Sequence, residues 1–331
     1  MKFCVYTRAF YEVPYLNFFI EHYIYLGFCK IIILKSDNIH YDLPPLYSHI
    51  VDIHLVSNEG NELLPNYQHL IKNSDYDWIL SVDIDEFLML NAKYKNITDF
   101  TLSKLAENNN INMFYFRWGM IEKYDTHYNY KFINILKTYK IYANQHVKTM
   151  FKRKDLLNIS SPHYCDLNTK KHIYFENNIL YENKAVGHPY TDNTYNECIL
   201  IHLHTRSIEN IIIKSIHTEL TTKKIISREL FIDFINNIDL YSELENALET
   251  FKKNIGLKSI LPFFHCDAPD NIYIYNYGLF EYIYEVTDTN IEQQLISFLL
   301  YKNNIDKNKY YYFINALNNQ ITKECKHLFY K

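Results

Sequence analysis

Four short apolar runs mark the chain before residue 85: KFCVYT, KIIILKSDN, IVDIHLV and DWILSVD. Between the first two, VPYLNFFIEHYIYLGF places Leu16, Ile20, Tyr23 and Ile24 at helical spacing. Pro14 suits the first turn of that helix and Gly27 its end. A second helix is expected near residues 61–73, between IVDIHLV and DWILSVD. Buried strands that alternate with helices can pair in sequence only as a parallel sheet with helices on both faces. INMFYFRW reads as a further buried strand, and KTYKIY, VKTMFKR and CILIHLH as shorter strands between about 130 and 205. From about 206 onward the periodicity is mainly helical, as in SRELFIDFINNIDLYSELENALETFKKNI. The expected layout is an α/β domain over 1–220 and a mainly helical C-terminal extension over 221–331, without internal repeats.

Composition excludes several functions. A net charge of −4 over 331 residues offers no basic field for nucleic acid or an acidic membrane surface. The six cysteines are scattered and form no CxxC pair, which suggests free thiols in a reducing compartment. The N-terminal MKFCVYTRAFYEVPYL has too short an apolar run for a signal peptide, and no stretch approaches the roughly 20 apolar residues of a membrane span. A cytoplasmic protein is therefore expected, with homo-oligomerisation left open. The excess of Tyr (32) and Phe (21) over Gly (6) and Pro (8) matches an A/T-rich coding sequence, so single Tyr or Asn residues, including the sequons at Asn96 and Asn158, carry little weight.

The chemistry concentrates in DWILSVDIDEF. In extended geometry Asp83 and Asp85 would share a face with Cα atoms about 6–7 Å apart. Two carboxylates held that close repel one another, and a divalent cation removes the conflict. Hard oxygen ligands suit Mn²⁺ or Mg²⁺, with phosphates and water filling the remaining positions. The bland alternative is a solvated acidic turn. Ligands of open α/β sheets bind beyond the carboxyl ends of the parallel strands, and Arg8, Asp37 and the Asp83–Asp85 pair each follow such a strand. In CILIHLHTRS, strict alternation would put Cys198, Leu200, His202 and His204 on one face, so either histidine could reach the metal or simply pack in the sheet.

DWILSVDIDEFLML resembles the W-x-x-h-x-D-x-D-E-F segment of GT-A-fold glycosyltransferases, particularly the family 2 and family 92-like enzymes. TRAFYEVPYLNFFIEHYIYLGFCKIIILKSDN is similar to their N-terminal segment at Glu12, at Glu21 or His22, at Gly27 and at Asp37–Asn38, although Arg8 stands near a usual Asn. ILIHLHTRSIENIIIKS is similar to a later segment at His202, Arg206, Ser207 and Lys214. The resemblance spans about 1–220. It implies a Rossmann-like mixed sheet flanked by helices and a hexosyltransferase that uses a nucleotide sugar, a UDP-sugar above all, with Mn²⁺ or Mg²⁺ and a glycan or glycoprotein acceptor. Asp85 would hold the metal, with Asp83 assisting or holding the ribose. Glu86 would anchor the loop, and His202 would complete the site with His204, His163 and His188 in reserve. Asp37 would meet the uridine, Glu12 would line the donor site, and Arg8, Arg206 and Lys148 would face the diphosphate. Asp125, Glu122 and Asp192 are the acceptor-side base candidates, Asp125 first because it follows the RWGM strand end. Each of these residues also has an ordinary structural role open to it, as a turn, a cap or a surface ion-pair partner.

Three other readings compete. A phosphohydrolase with a DxD nucleophile would place the pair after the first strand, followed by Thr or Gly. A nucleotidyltransferase would show Gly-Ser shortly before the pair. A degenerate transferase fold serving as a binding or scaffold module would tolerate loss of Asp83, Asp85 or His202, all of which are present.

Overall fold

The structure is a computed structural model that describes residues 1–37, 39–56, 63–122, 142–159, 163, 165–175, 178–180 and 197–205, together with 236, 296–297, 300–301 and 304–312. The first half folds as the alternation demands. β1 (Phe3–Ala9) leads through a 3-10 turn at Val13–Tyr15 into α1 (Leu16–Tyr25), then β2 (Lys30–Lys35), β3 (Val51–Leu55), α2 (Leu63–Lys72) and β4 (Trp78–Ser81). The strands β1 to β4 are parallel, with β1 between β2 and β4 and β3 outermost. Gly27 follows α1 at φ +98°, a left-handed conformation that glycine adopts without a side-chain penalty.

β5 (Glu86–Leu90), α3 (Ile97–Glu107), β6 (Met113–Glu122), β7 (Tyr142–Lys152), β8 (Leu156–Asn158), β9 (Asp166–Leu167), β10 (Ile173–Phe175), β11 (Asn178–Leu180) and β12 (Cys198–Thr205) complete the described elements. The main sheet runs β11-β10-β6-β7-β4-β1-β2-β3, and β12 pairs with both β5 and β6. β7 is antiparallel to β4 and to β6, so β6 points the same way as β1 to β4. β12 is parallel to β6, and β5 returns antiparallel to β12. The carboxyl ends of β1, β2, β4, β6 and β12 therefore meet at one end of the sheet. This is the mixed α/β sheet flanked by helices expected of a GT-A-like chain. α3 is a helix absent from the sequence expectation; it is capped by Asn96, whose Oδ1 accepts the Asp99 N–H at 3.0 Å.

Two cores form, one on each face of the sheet. α1 and α3 cover the larger with Phe19, Tyr23, Ile97 and Phe100, packed on Phe87, Phe114 and Trp78. The smaller contains Tyr6, Ile79, Met113 and Ile71 of α2. Each fully buried large apolar side chain contributes about 1.5–3 kcal/mol. In the C-terminal part, Ile296, Leu300, Ile305 and Tyr310 join the larger core, and the described residues from 307 to 312 are helical. The expected boundary near 220 lies outside the described residues. The described cysteines are all free thiols.

β5 is held in an unusual way. One edge pairs with β12 from Cys198↔Leu90 to His202↔Glu86. The other edge is satisfied by side chains of α1. The Tyr23 hydroxyl donates to Glu86 O at 2.8 Å and accepts the Leu88 N–H at 3.3 Å, while His22 Nε2–H donates to Leu88 O at 3.0 Å. The His-Tyr pair of α1 thereby fixes the strand that begins at Glu86.

Candidate active site at the strand ends

The DxD pair is not extended. Residues 84 and 85 form a turn closed by Glu86 N–H donating to Asp83 O at 3.1 Å, and Glu86 Oε2 accepts the Asp83 N–H at 2.8 Å. These reciprocal bonds make Asp83-x-x-Glu86 a closed loop, so the extended backbone that would put both carboxylates on one face is replaced by a turn. Leu203 N–H donates to Asp85 O at 2.8 Å and pins the turn to β12.

Each acid has its own surroundings. Glu86 is fully buried, and its Oε1 has no hydrogen-bond partner among the described residues. Burial pushes its carboxyl well above the ordinary range, against the pull of Lys148. Asp83 is half exposed and meets Lys148 Nζ at 2.6 Å. Burial alone would push the Asp83 carboxyl up, and the Lys148 ammonium overrides it and holds the group below the usual carboxylate range. Lys148 is 1% exposed and also lies 3.5 Å from Glu86 Oε2. Burial works against its charge, but Asp83 and Glu86 raise its pKa and keep it an ammonium. Asp85 is buried, with Oδ1 3.4 Å from His202 Nε2.

Beside this turn lies an aromatic and imidazole group. The Trp118 ring is 4.3 Å from the His202 ring, 5.1 Å from His146 and 5.3 Å from His163, and Lys148 Nζ lies 6.0 Å over it. His163 Nδ1–H donates to Val147 O at 3.1 Å. Burial foremost, with the Lys148 ammonium adding to it, lowers the pKa of both His146 and His163.

Of the residues singled out in the sequence, Asp83, Asp85, Lys148 and His202 come together, and His163 and Arg8 stand beside them. Arg8 follows the same sheet end, close enough to Asp83 for the charges to interact, with its guanidinium 5.8 Å from the Phe10 ring centre. Asp37 is buried and already engaged: its oxygens accept the Tyr11 N–H at 2.7 Å, the Ile39 N–H at 2.8 Å and the Lys35 ammonium. It staples the loops after β1 and β2. Glu12 begins the 3-10 turn, its carbonyl accepting the Tyr15 N–H at 2.9 Å. His204 and Glu122 are described in backbone only, and the β12–β6 pairing shifts register between His202 and Thr205. Asp125, Asp192, His188 and Arg206 lie outside the described residues.

Trp118 and His146 are additions to the sequence reading. Phe116 lies opposite Lys148 across the β6–β7 ladder, so Phe114, Phe116 and Trp118 share a face with Met150, Lys148 and His146. Alternation along FYFRW and HVKTM carried that signal, but only the antiparallel pairing of the two strands brings the residues together.

Among the described residues no three His, Cys, Asp or Glu side chains converge on one ion position. Two do. Adjacent ligands of an octahedral ion with bonds of about 2.1 Å lie roughly 3 Å apart, and Asp85 Oδ1 and His202 Nε2 are 3.4 Å apart. A carboxylate with an imidazole is a donor set that Mn²⁺ accepts.

No protein family model and no curated protein matches the sequence. Among solved structures, the chain is similar to S. aureus TarS 1-349 in complex with UDP at 11% identity, covering 99% of this chain and 91% of that one, with a TM-score of 0.29. It is also similar to CMP:2-keto-3-deoxy-manno-octonic acid synthetase complexed with CTP (11% identity, 46% of this chain and 75% of that one, TM-score 0.25). An active-site mutant of LgtC follows at 14% identity, 46% and 57% coverage and a TM-score of 0.25. At such TM-scores the fold class rests on the strand order of this chain. Among the described residues no helix is long and apolar enough to cross a membrane.

Proposed function

We propose that this chain is a metal-dependent glycosyltransferase that moves a sugar from a nucleotide donor, a UDP-sugar in the first instance, to a hydroxyl of a glycan or protein acceptor. The observation that carries the reading is the pairing of Asp85 Oδ1 with His202 Nε2 at 3.4 Å, after the carboxyl end of β4 and in the last residues of β12. Open α/β sheets bind nucleotides at that end.

Asp85 and His202 would hold Mn²⁺ or Mg²⁺, leaving the other positions to diphosphate oxygens and water. A cation there supplies Lewis-acid stabilisation of the charge that builds on the leaving diphosphate. Arg8 adds a guanidinium suited to phosphate oxygens, and Arg206 is assigned the same task. Asp37 holds the loops after β1 and β2, against which the nucleoside would lie. Glu12 belongs to the same wall. The partly exposed Trp118, with His146 and His163 around it, faces the acceptor side and gives a sugar ring an apolar surface. The acceptor proton would pass to a base among Asp125, Glu122 and Asp192.

Release of UDP from a panel of nucleotide sugars, measured with Mn²⁺ and with EDTA, tests the reading. Metal-dependent release from one donor, lost in Asp85→Asn, is the expected result. A panel that releases no UDP under either condition would refute it.

A further inference from the structure

Lys148 is a full ammonium inside a sheet. Its side chain is 1% exposed and lies on the face of β7 that also carries Met150, opposite Phe116. Its carboxyl partners among the described residues are Asp83 Oδ2 at 2.6 Å and, farther off, Glu86 Oε2 at 3.5 Å. A buried ammonium needs a close counter-charge, because desolvation without one costs several kcal/mol. Asp83 is thus committed by a residue 65 positions away. If Asp83 moved onto a divalent cation, Lys148 would be left with the 3.5 Å contact and would face a dication across a single carboxylate.

We propose that Lys148 is a resident counter-ion that keeps Asp83 out of the metal's coordination shell, so that a divalent cation is held by Asp85 and His202 without Asp83. The inference rests on the metal-dependent reading above and changes its terms. The two aspartates of the pair have opposite tasks: Asp83 balances the internal cation, and Asp85 receives the external one.

The test is Mn²⁺ affinity, read from the free-Mn²⁺ electron paramagnetic resonance signal and by calorimetry without nucleotide, on folded protein checked by circular dichroism. Asp83→Asn should weaken Mn²⁺ binding by clearly less than Asp85→Asn does, since it removes no ligand and only leaves the Lys148 charge unbalanced. Asp85→Asn should weaken binding at least tenfold, about 1.4 kcal/mol. Lys148→Met should tighten binding at least tenfold, because a repelling charge is removed and Asp83 is released to the ion. Asp83→Asn combined with Lys148→Met removes both charges together and should return to the parent affinity. That pair also decides the matter if Lys148→Met alone does not fold. The proposal is overturned if Asp83→Asn loses as much affinity as Asp85→Asn, if folded Lys148→Met binds no tighter than the parent, or if the double variant loses binding. A parent without measurable Mn²⁺ affinity alongside a Lys148→Met variant that gains it would sink the metal-dependent reading and still support the role of Lys148. The absence of affinity in both would sink the two together.

Discussion

Acid should weaken this fold through His22. The imidazole is 2% exposed, its ring centre 4.8 Å from the Tyr23 ring and 5.2 Å from the Phe87 ring, both edge-on. Burial drives its pKa down to about 3, and the hydrogen bond to Leu88 O offsets part of the fall. An unfolded histidine titrates near 6.5. Because the folded value is depressed, the stabilisation is complete above about pH 6.5 and is lost as pH falls toward 3, since only the unfolded chain takes up the proton. Between pH 7 and pH 5 the unfolded state gains RT ln[(1 + 10^1.5)/(1 + 10^−0.5)], about 2 kcal/mol, while the folded state gains almost nothing. By pH 3 the loss reaches about 4 kcal/mol. Urea denaturation at pH 7 and pH 5 measures this in the parent and in His22→Gln, whose amide still donates toward Leu88 O but does not titrate. The parent should lose about 2 kcal/mol more than the variant over that interval, with other titrating groups cancelling in the comparison. Parallel losses would refute the reasoning, because they would mean that His22 is protonated in the fold or solvated near its ordinary pKa. The site is involved because Leu88 and Glu86 lie on the same short strand, so acid loosens the DxD turn from beneath.

Three further outcomes are expected. Gly27→Ala should cost about 1–3 kcal/mol in chemical denaturation, since φ is +98° and an added Cβ would sit 3.2 Å from Asn96 Cβ, at the cap of α3. Tyr23→Phe should cost about 1–3 kcal/mol by leaving Glu86 O and Leu88 N–H short of a partner, and it should also weaken Mn²⁺ binding because β5 no longer holds the turn firmly. Arg8→Ala should lower UDP affinity about tenfold by calorimetry and reduce its salt dependence while leaving the melting temperature nearly unchanged, since Arg8 is an exposed end-of-strand residue.

The parallel half of the sheet was legible because its signals are local. FCVYT, IIILK and WIL are each buried as continuous runs, and the helix between the first two begins after Pro14 and ends before Gly27, as those residues require. The acidic motif was legible in its residue types but not in its geometry. Two carboxylates at i and i+2 point together only if the backbone stays extended, and the bonds that curl it come from Glu86, whose side chain turns inward to the Asp83 N–H. The rest depended on non-local pairing. β5 meets β12 across more than a hundred residues, and Lys148 reaches Asp83 from a strand whose register against β4 and β6 no short window encodes. A lysine in a β-strand ordinarily reads as a solvent-facing residue. Lys148 is instead enclosed because both neighbours of β7 are central strands and its side chain points into the larger core, where Phe116 and Met150 exclude water. An ammonium cannot be placed there without a carboxylate, and a carboxylate cannot be half-buried beside Asp85 and Glu86 without an ammonium. Each charge is tolerable because of the other, which is why the first aspartate of the motif and a lysine on a neighbouring strand must be read as one unit.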